Sequence, residues 1–177
     1  MLLKNSETRY GAFAIFLHWL MAALIIGLLA VGIYMVGLPV SLAKLKWYGW
    51  HKEYGFLALL LVIVRLGWRL LNVTPRLSLP WLEIFAARTV HFVFYIFMFA
   101  MPLTGWLITS AAGLPASFFG LFVLPDLVMP NEAARLLFEE IHKWLGYALI
   151  ALIVLHASAA LRHHFINKDD ILRRMIS

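Results

Sequence analysis

Four long stretches of this sequence contain no Asp, Glu, Lys or Arg, and they constrain the fold more than any other feature. The charge-free stretches are Tyr10 to Ala43, Tyr54 to Val64, Thr89 to Pro125 and Trp144 to Leu161. A helix needs roughly 20 apolar residues to cross a bilayer, and aromatic and arginine flanks extend the second stretch. We therefore predict transmembrane helices at about 12–36, 48–71, 88–112 and 135–165.

The short connections predict an all-α protein, a transmembrane four-helix bundle with up-down-up-down topology. We expect residues 1–177 to form a single integral membrane domain. The apolar segment from Ser110 to Pro130 is expected to lie along the membrane surface, and Asn131 to cap the fourth helix. Residues 169–177 are expected to form a short interfacial segment that begins with aspartates.

The composition supports a membrane protein and excludes several kinds of site. Hydrophobic residues make up 63% of the chain, charged residues 14%, and the mean hydropathy is +0.87. There is no cysteine, which excludes disulfides, thiolate metal sites, iron–sulfur clusters and covalently attached c-type haem. The sequence also contains no glycine-rich nucleotide-binding motif. The first apolar run is too long for a cleaved signal peptide, so we expect it to remain.

The distribution of lysine and arginine predicts the orientation. With both termini in the cytoplasm, ten basic residues fall on the inner side and five on the outer side, as the positive-inside rule requires. We therefore expect a multi-pass membrane protein with cytoplasmic N and C termini. The net charge of +6 is explained by topology, and no nucleic acid partner is expected.

Two histidines of the fourth helix point to the function. His142 and His156 are fourteen residues apart, which is nearly four helical turns, so both lie on one face and roughly 21 Å apart along the axis. Ionisable side chains at membrane depth are rare and mark functional sites. One helix with an axial ligand near each membrane face suggests two stacked haems and a path for electrons.

Depth sorts the five histidines of the predicted spans into two groups. His51 and His142 lie near the outer side, whereas His18, His91 and His156 lie near the inner side. A single intramembrane histidine often only bridges helices by hydrogen bonds, but four at two matching depths favour ligands. The outer pair is unambiguous, while the inner side offers three candidates for two positions.

Small residues one turn from a ligand leave room for a flat porphyrin, and they rank the inner candidates. Gly55 follows His51 and Gly146 follows His142 by four residues; Ala22 and Ala160 follow His18 and His156 in the same way. His91 is followed instead by Tyr95. We therefore pair His51 with His142 and His18 with His156, with His91 as the alternative inner ligand.

Basic residues near these histidines have two interpretations. Arg65 lies fourteen residues after His51, on the same helix face, where a guanidinium can bind haem propionates. Arg69 lies one turn later, and positive-inside anchoring explains it equally well. Lys44, Lys46 and Lys52 stand among aromatic residues at the outer side, either as snorkelling lysines or as an attraction for an anionic donor.

The chain resembles the bacterial cytochrome b561 family over nearly its whole length. The matching segments are Phe16-Leu17-His18-Trp19-Leu20, His51 through Val64-Arg65-Leu66, and the block with His142, Gly146, Tyr147, His156 and His163-His164. The resemblance implies two non-covalent b haems with bis-histidine ligation. It also implies electron exchange with a membrane quinone, ubiquinone as an exchangeable substrate, and for some members oxidation of superoxide outside the membrane.

The resemblance implies a quinone near the inner haem, with His91, Arg69, His163 and His164 as candidate contacts. We expect membrane lipid, the quinone, and a small anionic or protein electron donor at the outer face as partners. The outer segment from Ser110 to Glu132 contains no basic residue, which weakens the case for superoxide as the donor.

Two other functions remain open at this point. A haem-bearing membrane anchor subunit of a dehydrogenase or hydrogenase would reduce quinone only together with soluble subunits. A haem-free transporter that binds metal through its histidines would show no visible absorbance. The two histidine depths are too far apart for one metal site.

Overall fold

The computed structural model describes residues 3–76 and 79–176. Four long helices are joined by short connections, and a small β-hairpin lies between the third and fourth. The elements are α1 (Ala12–Val36), α2 (Leu42–Leu71), α3 (Trp81–Ala111), β1 (Ala116–Phe118), β2 (Phe122–Leu124) and α4 (Glu132–Arg162). A π-helical turn (His163–Asn167) extends α4, and one 3₁₀ turn (Arg173–Met175) follows it.

The helices form the expected up-down-up-down bundle. Each packs against its neighbour in the chain, α1 on α2, α2 on α3 and α3 on α4. All four helices are long and apolar enough to cross a membrane, which confirms the predicted fold class. We call the end of the bundle that carries both termini the terminal end, and the opposite end, with the β-hairpin, the hairpin end.

Three helices begin earlier than their charge-free stretches suggest, because caps rather than the loss of charge set their first residues. Helix α2 begins after Ser41, whose hydroxyl accepts a hydrogen bond from the Lys44 backbone N–H at 3.2 Å. Helix α3 begins directly after Pro80. Helix α4 begins after Asn131, whose side-chain oxygen accepts from the Ala134 N–H at 2.9 Å, so the predicted cap at Asn131 is present.

The hairpin was not predicted from the sequence. Strands β1 and β2 pair antiparallel, and their turn contains Phe119 and Gly120 with φ of +49° and +70°. Three-residue strands are too short to show an alternating pattern. The Ala116 side chain is fully buried against the bundle, and the Phe119 ring contacts the Tyr54 ring edge to face at 5.3 Å. The segment therefore folds back onto the helices at this end.

The C-terminal segment packs across the terminal end. The Trp19 indole N–H donates to the Met175 carbonyl at 2.6 Å, and Arg174 donates to the Arg76 carbonyl at 2.8 Å. Arg174 also binds Asp170 at 2.9 Å, and this hydrogen bond holds the pKa of the Asp170 carboxyl below its usual value. Only Arg173–Met175 is helical in this segment, and the expected end of the segment, residue 177, lies outside the described residues.

Candidate functional site

The structure brings His51 of α2 and His142 of α4 together at the hairpin end. Their ring centroids are 6.2 Å apart and their planes are inclined by 77°. Both rings are half-buried between the helices. This is the outer pair that the sequence predicts, formed by residues 91 positions apart in the chain.

Three histidines meet near the terminal end. The His18 ring of α1 lies 6.3 Å from the His156 ring of α4, centroid to centroid. The His91 ring of α3 lies 5.8 Å from the same His156 ring. His156 is therefore common to both possible pairs, and the structure brings His91 as close to it as His18.

The distances between the paired rings match those of two ligands on one iron. An imidazole nitrogen lies about 2.0–2.1 Å from a metal that it binds, and the ring centroid about 1.1 Å behind it, so two trans imidazoles have centroids about 6.3 Å apart. The observed separations are 6.2 Å for His51 and His142 and 6.3 Å for His18 and His156. The separation between His91 and His156, 5.8 Å, is shorter than this value.

The second ring nitrogens of these histidines have different environments. The Nδ1 atom of His142 lies 2.8 Å from the Thr104 hydroxyl. The Nδ1 atom of His18 lies 3.3 Å from a guanidinium nitrogen of Arg65. The Nδ1 atom of His51 is buried and has no hydrogen-bond partner, which is an unusual state for a buried polar atom.

The closest small residues are glycines that the sequence analysis did not select. A Cβ placed on Gly32 of α1 would lie 3.3 Å from Cε1 of His51, and one on Gly105 of α3 would lie 3.5 Å from Cε1 of His142. The Gly32 contact is tighter than usual, so this glycine allows the His51 ring to approach the α1 backbone, whereas the Gly105 contact is of ordinary van der Waals length. The sequence contains a spacing that could have indicated these glycines. Gly32 follows His18, and Gly105 follows His91, by the same fourteen residues that separate His142 from His156.

The predicted porphyrin-packing residues have open surroundings. A Cβ on Gly55 meets no atom within 4 Å, and one on Gly146 meets only the Met101 and Leu29 side chains, at 3.9 and 4.0 Å. Ala22 and Ala160 are half-buried. These positions leave room beside the histidines, as a flat ligand would need.

An apolar groove opens beside His51 between α1 and α2. It has a volume of about 270 Å³. Aliphatic residues of α1 and Gly27 form one wall, and aromatic rings of α2 such as Trp47 and Trp50 form the other. The groove lies at the side of the bundle, and His51 forms part of its lining.

The predicted outer lysines are not equivalent. The Lys44 ammonium donates to the carbonyls of Leu38 at 2.7 Å and Val36 at 3.3 Å. It therefore hydrogen-bonds to the backbone at the C-terminal end of α1. The Lys46 side chain is exposed and its ammonium lies 5.6 Å from the Trp50 ring centre. Lys52 is half-buried. Only Lys46 of the three is presented to solvent.

The quinone candidates other than His91 also lie at the terminal end. The exposed Arg69 guanidinium is 5.7 Å from the Tyr95 ring centre. His163 is in the π-helical turn, and its Nδ1 lies 2.5 Å from an Asp169 carboxylate oxygen. The Nδ1 atom of His164 is buried without a partner. Arg69, His163 and His164 thus share a position at this end and contact different partners.

Comparison with known proteins assigns the chain to a family. The sequence profile described as "Prokaryotic cytochrome b561" matches residues 9–177. The chain belongs to the prokaryotic cytochrome b561 family. Family membership confirms the resemblance found in the sequence and supports a bacterial membrane protein with electron-transfer function and b-type haem.

Three curated relatives are similar to this cytochrome b561 family member. "Cytochrome b561 homolog 2" of Escherichia coli (strain K12) is 35% identical over 187 aligned positions, which cover 99% of this chain and 95% of the relative. "Cytochrome b561 homolog 1" of the same strain is 43% identical over 94 positions, 51% of each chain. "Probable superoxide oxidase CybB" of Yersinia pestis is 29% identical over 95% of this chain and 96% of the relative.

The residues present fit the b-type haem that the family implies. Histidine is the axial ligand that a chain without cysteine can offer most readily. Two pairs of histidine rings from different helices lie with centroids 6.3 and 6.2 Å apart, which leaves space for one iron between the rings of each pair. Within residues 3–76 and 79–176, no group of three or more His, Asp or Glu side chains is arranged to hold a bare metal ion.

The contact between Gly32 and His51 predicts the effect of a substitution. We expect Gly32→Val to displace the His51 ring, because its Cβ alone would come within 3.3 Å of Cε1 and its methyl groups would come closer. The purified variant should lose most of the haem at the hairpin end, as measured by absorbance per polypeptide. Gly49→Val is the matched control, since a Cβ at Gly49 meets no atom within 4 Å. Wild-type haem content in Gly32→Val would contradict the prediction.

Proposed function

We propose that this protein is a di-haem cytochrome b that transfers single electrons across the bacterial inner membrane, from a donor at the hairpin end to ubiquinone at the terminal end. The observation that carries the proposal is the presence of two histidine pairs, at ring separations of 6.2 and 6.3 Å, at the two ends of one membrane-spanning bundle. The fourteen-residue spacing on α4 puts the pairs roughly 21 Å apart.

His51 and His142 would hold the haem at the hairpin end, and His18 and His156 the haem at the terminal end. When bound, each haem supplies reversible one-electron chemistry at its iron. With two histidines holding each iron, the haems would supply electron transfer without binding oxygen at the iron. We therefore propose that electrons pass through the porphyrin edge, and that the helices orient that edge and exclude water.

Arg65 would change partners when His18 binds iron. A guanidinium can only donate, so its contact with His18 requires Nδ1 to accept and the ring proton to be on Nε2. Binding of iron through Nε2 requires the opposite tautomer. Arg65 would then turn from His18 to a haem propionate, with which it forms a charge-assisted bond.

The terminal end offers groups for quinone reduction. Complete reduction of one ubiquinone consumes two electrons and two protons. We propose that His163, whose Nδ1 lies 2.5 Å from an Asp169 carboxylate oxygen, contacts the quinone head group. His164, Arg69 and His91 lie at the same end and are the other proposed contacts of the quinone head group. This end faces the cytoplasm in the orientation that the lysine and arginine distribution favours.

We propose superoxide as the donor at the hairpin end. The name of the Yersinia pestis relative, a probable superoxide oxidase, supports it. Exposed Lys46 adds local positive charge, whereas the Lys44 ammonium is hydrogen-bonded to the Leu38 carbonyl. Two superoxide ions would give two oxygen molecules and two electrons, and these electrons with two protons convert one ubiquinone to ubiquinol.

Single substitutions test the assignment of ligands. We expect His18→Ala and His156→Ala to lose the terminal-end haem and keep the other, and His51→Ala and His142→Ala to do the reverse. His91→Ala should retain both haems. Haem per polypeptide from the pyridine haemochrome spectrum measures each result. Loss of one haem in His91→Ala together with full retention in His18→Ala would overturn the proposed inner pair.

Reconstituted protein tests the direction of electron transfer. In liposomes that contain ubiquinone, superoxide generated by xanthine oxidase should reduce the haems and yield about one ubiquinol for two superoxide ions, by the charge balance of quinone reduction. Superoxide dismutase should abolish both signals. Reduction by dithionite but not by superoxide would reject superoxide as the donor. Activity that appears only with co-purified soluble subunits would instead identify a membrane anchor subunit.

A further inference from the structure

The contact between Thr104 and His142 distinguishes one of the four proposed ligands from the others. We infer that Thr104 is a positioning residue, whose hydroxyl fixes the tautomer of His142 and lowers the reduction potential of the haem at the hairpin end. The inference rests on the proposed function, because it concerns the haem that His51 and His142 would hold. It assigns a role to a residue that contacts no reacting group itself.

The partners of the Thr104 hydroxyl determine the direction of the bond. Its oxygen lies 2.8 Å from the carbonyl oxygens of Ala100 and Met101 and 2.8 Å from Nδ1 of His142. A carbonyl can only accept, so the hydroxyl proton goes to one of these carbonyls. The arrangement that best satisfies these contacts has the remaining lone pair of the hydroxyl accept from His142, with the ring proton on Nδ1.

This tautomer leaves the lone pair of His142 on Nε2, the nitrogen that is free to bind iron. The adjacent residue, Gly105, lies so close that a Cβ there would be 3.5 Å from Cε1 of the same ring. Two consecutive residues of α3 therefore lie against the ring, and Thr104 is the one that holds it by a hydrogen bond. A helix that supplies no ligand at this end thus sets the orientation of the ligand on α4.

A hydrogen bond from Nδ1 also changes the electronic character of the ligand. It draws the proton away from the ring and raises the basicity of Nε2, which stabilises ferric iron relative to ferrous iron. At the terminal end, Arg65 lies 3.3 Å from His18 without haem and would bind a propionate of the haem there, and its positive charge beside that haem would favour the ferrous state. Together these contacts lower the potential at the hairpin end relative to the terminal end, which favours electron flow toward the quinone.

A redox titration of the purified holoprotein tests the inference. Wild type should show two midpoint potentials, and the hairpin-end component is the one that is missing from His51→Ala. Thr104→Val removes the hydroxyl and keeps the side-chain shape. We expect it to shift the hairpin-end midpoint to a more positive value and to leave the terminal-end midpoint unchanged. Thr104→Ser retains the hydroxyl and should keep the wild-type value.

Thr109→Val is the matched control. Thr109 lies on the same helix near the same end, and its hydroxyl donates to the Gly105 carbonyl at 3.0 Å. It should leave both midpoints unchanged. If Thr104→Val does not fold, Thr104→Ala is titrated instead, with the same shift expected. An unchanged hairpin-end midpoint in the folded variant, or an equal shift in Thr109→Val, would overturn the inference. Absence of two b haems in wild type would instead reject the proposed function.

Discussion

The structure depends on holding imidazole rings in pairs inside an apolar bundle. A polar ring nitrogen at membrane depth is costly unless it has a partner, and five histidines converge between these helices. Helix α4 contributes to both groups, because His142 and His156 are fourteen residues apart on one face. The other helices are arranged around that face so that each group obtains a second ring from a different helix.

The same spacing of fourteen residues recurs on every helix of the bundle. It joins His18 to Gly32 on α1, His51 to Arg65 on α2 and His91 to Gly105 on α3, as well as His142 to His156 on α4. Each helix thus places one residue of this series at each end. The terminal end receives three histidines and an arginine, whereas the hairpin end receives two histidines and two glycines. Gly32 lets the His51 ring approach the α1 backbone closely.

The sequence alone predicted those features of the structure that depend on composition or on the residues of a single helix. The four spans follow from hydropathy, and the two histidine depths follow from position along each span. Contacts between helices were not predictable in this way. The roles of Gly32 and Gly105 depend on which helix faces which ring, and the bond between Thr104 and His142 joins residues 38 positions apart. The hairpin was missed because its strands contain only three residues each.

The most direct measurement is the amount of haem b bound per polypeptide in the protein purified in detergent. Pyridine haemochrome and reduced-minus-oxidised spectra, compared with quantitative amino-acid analysis, give this ratio. We expect two haems per chain, one for each pair of rings separated by 6.2 and 6.3 Å. One haem per chain would show that one of these pairs does not bind iron. No haem in a folded preparation from haem-replete cells would contradict the electron-transfer function itself.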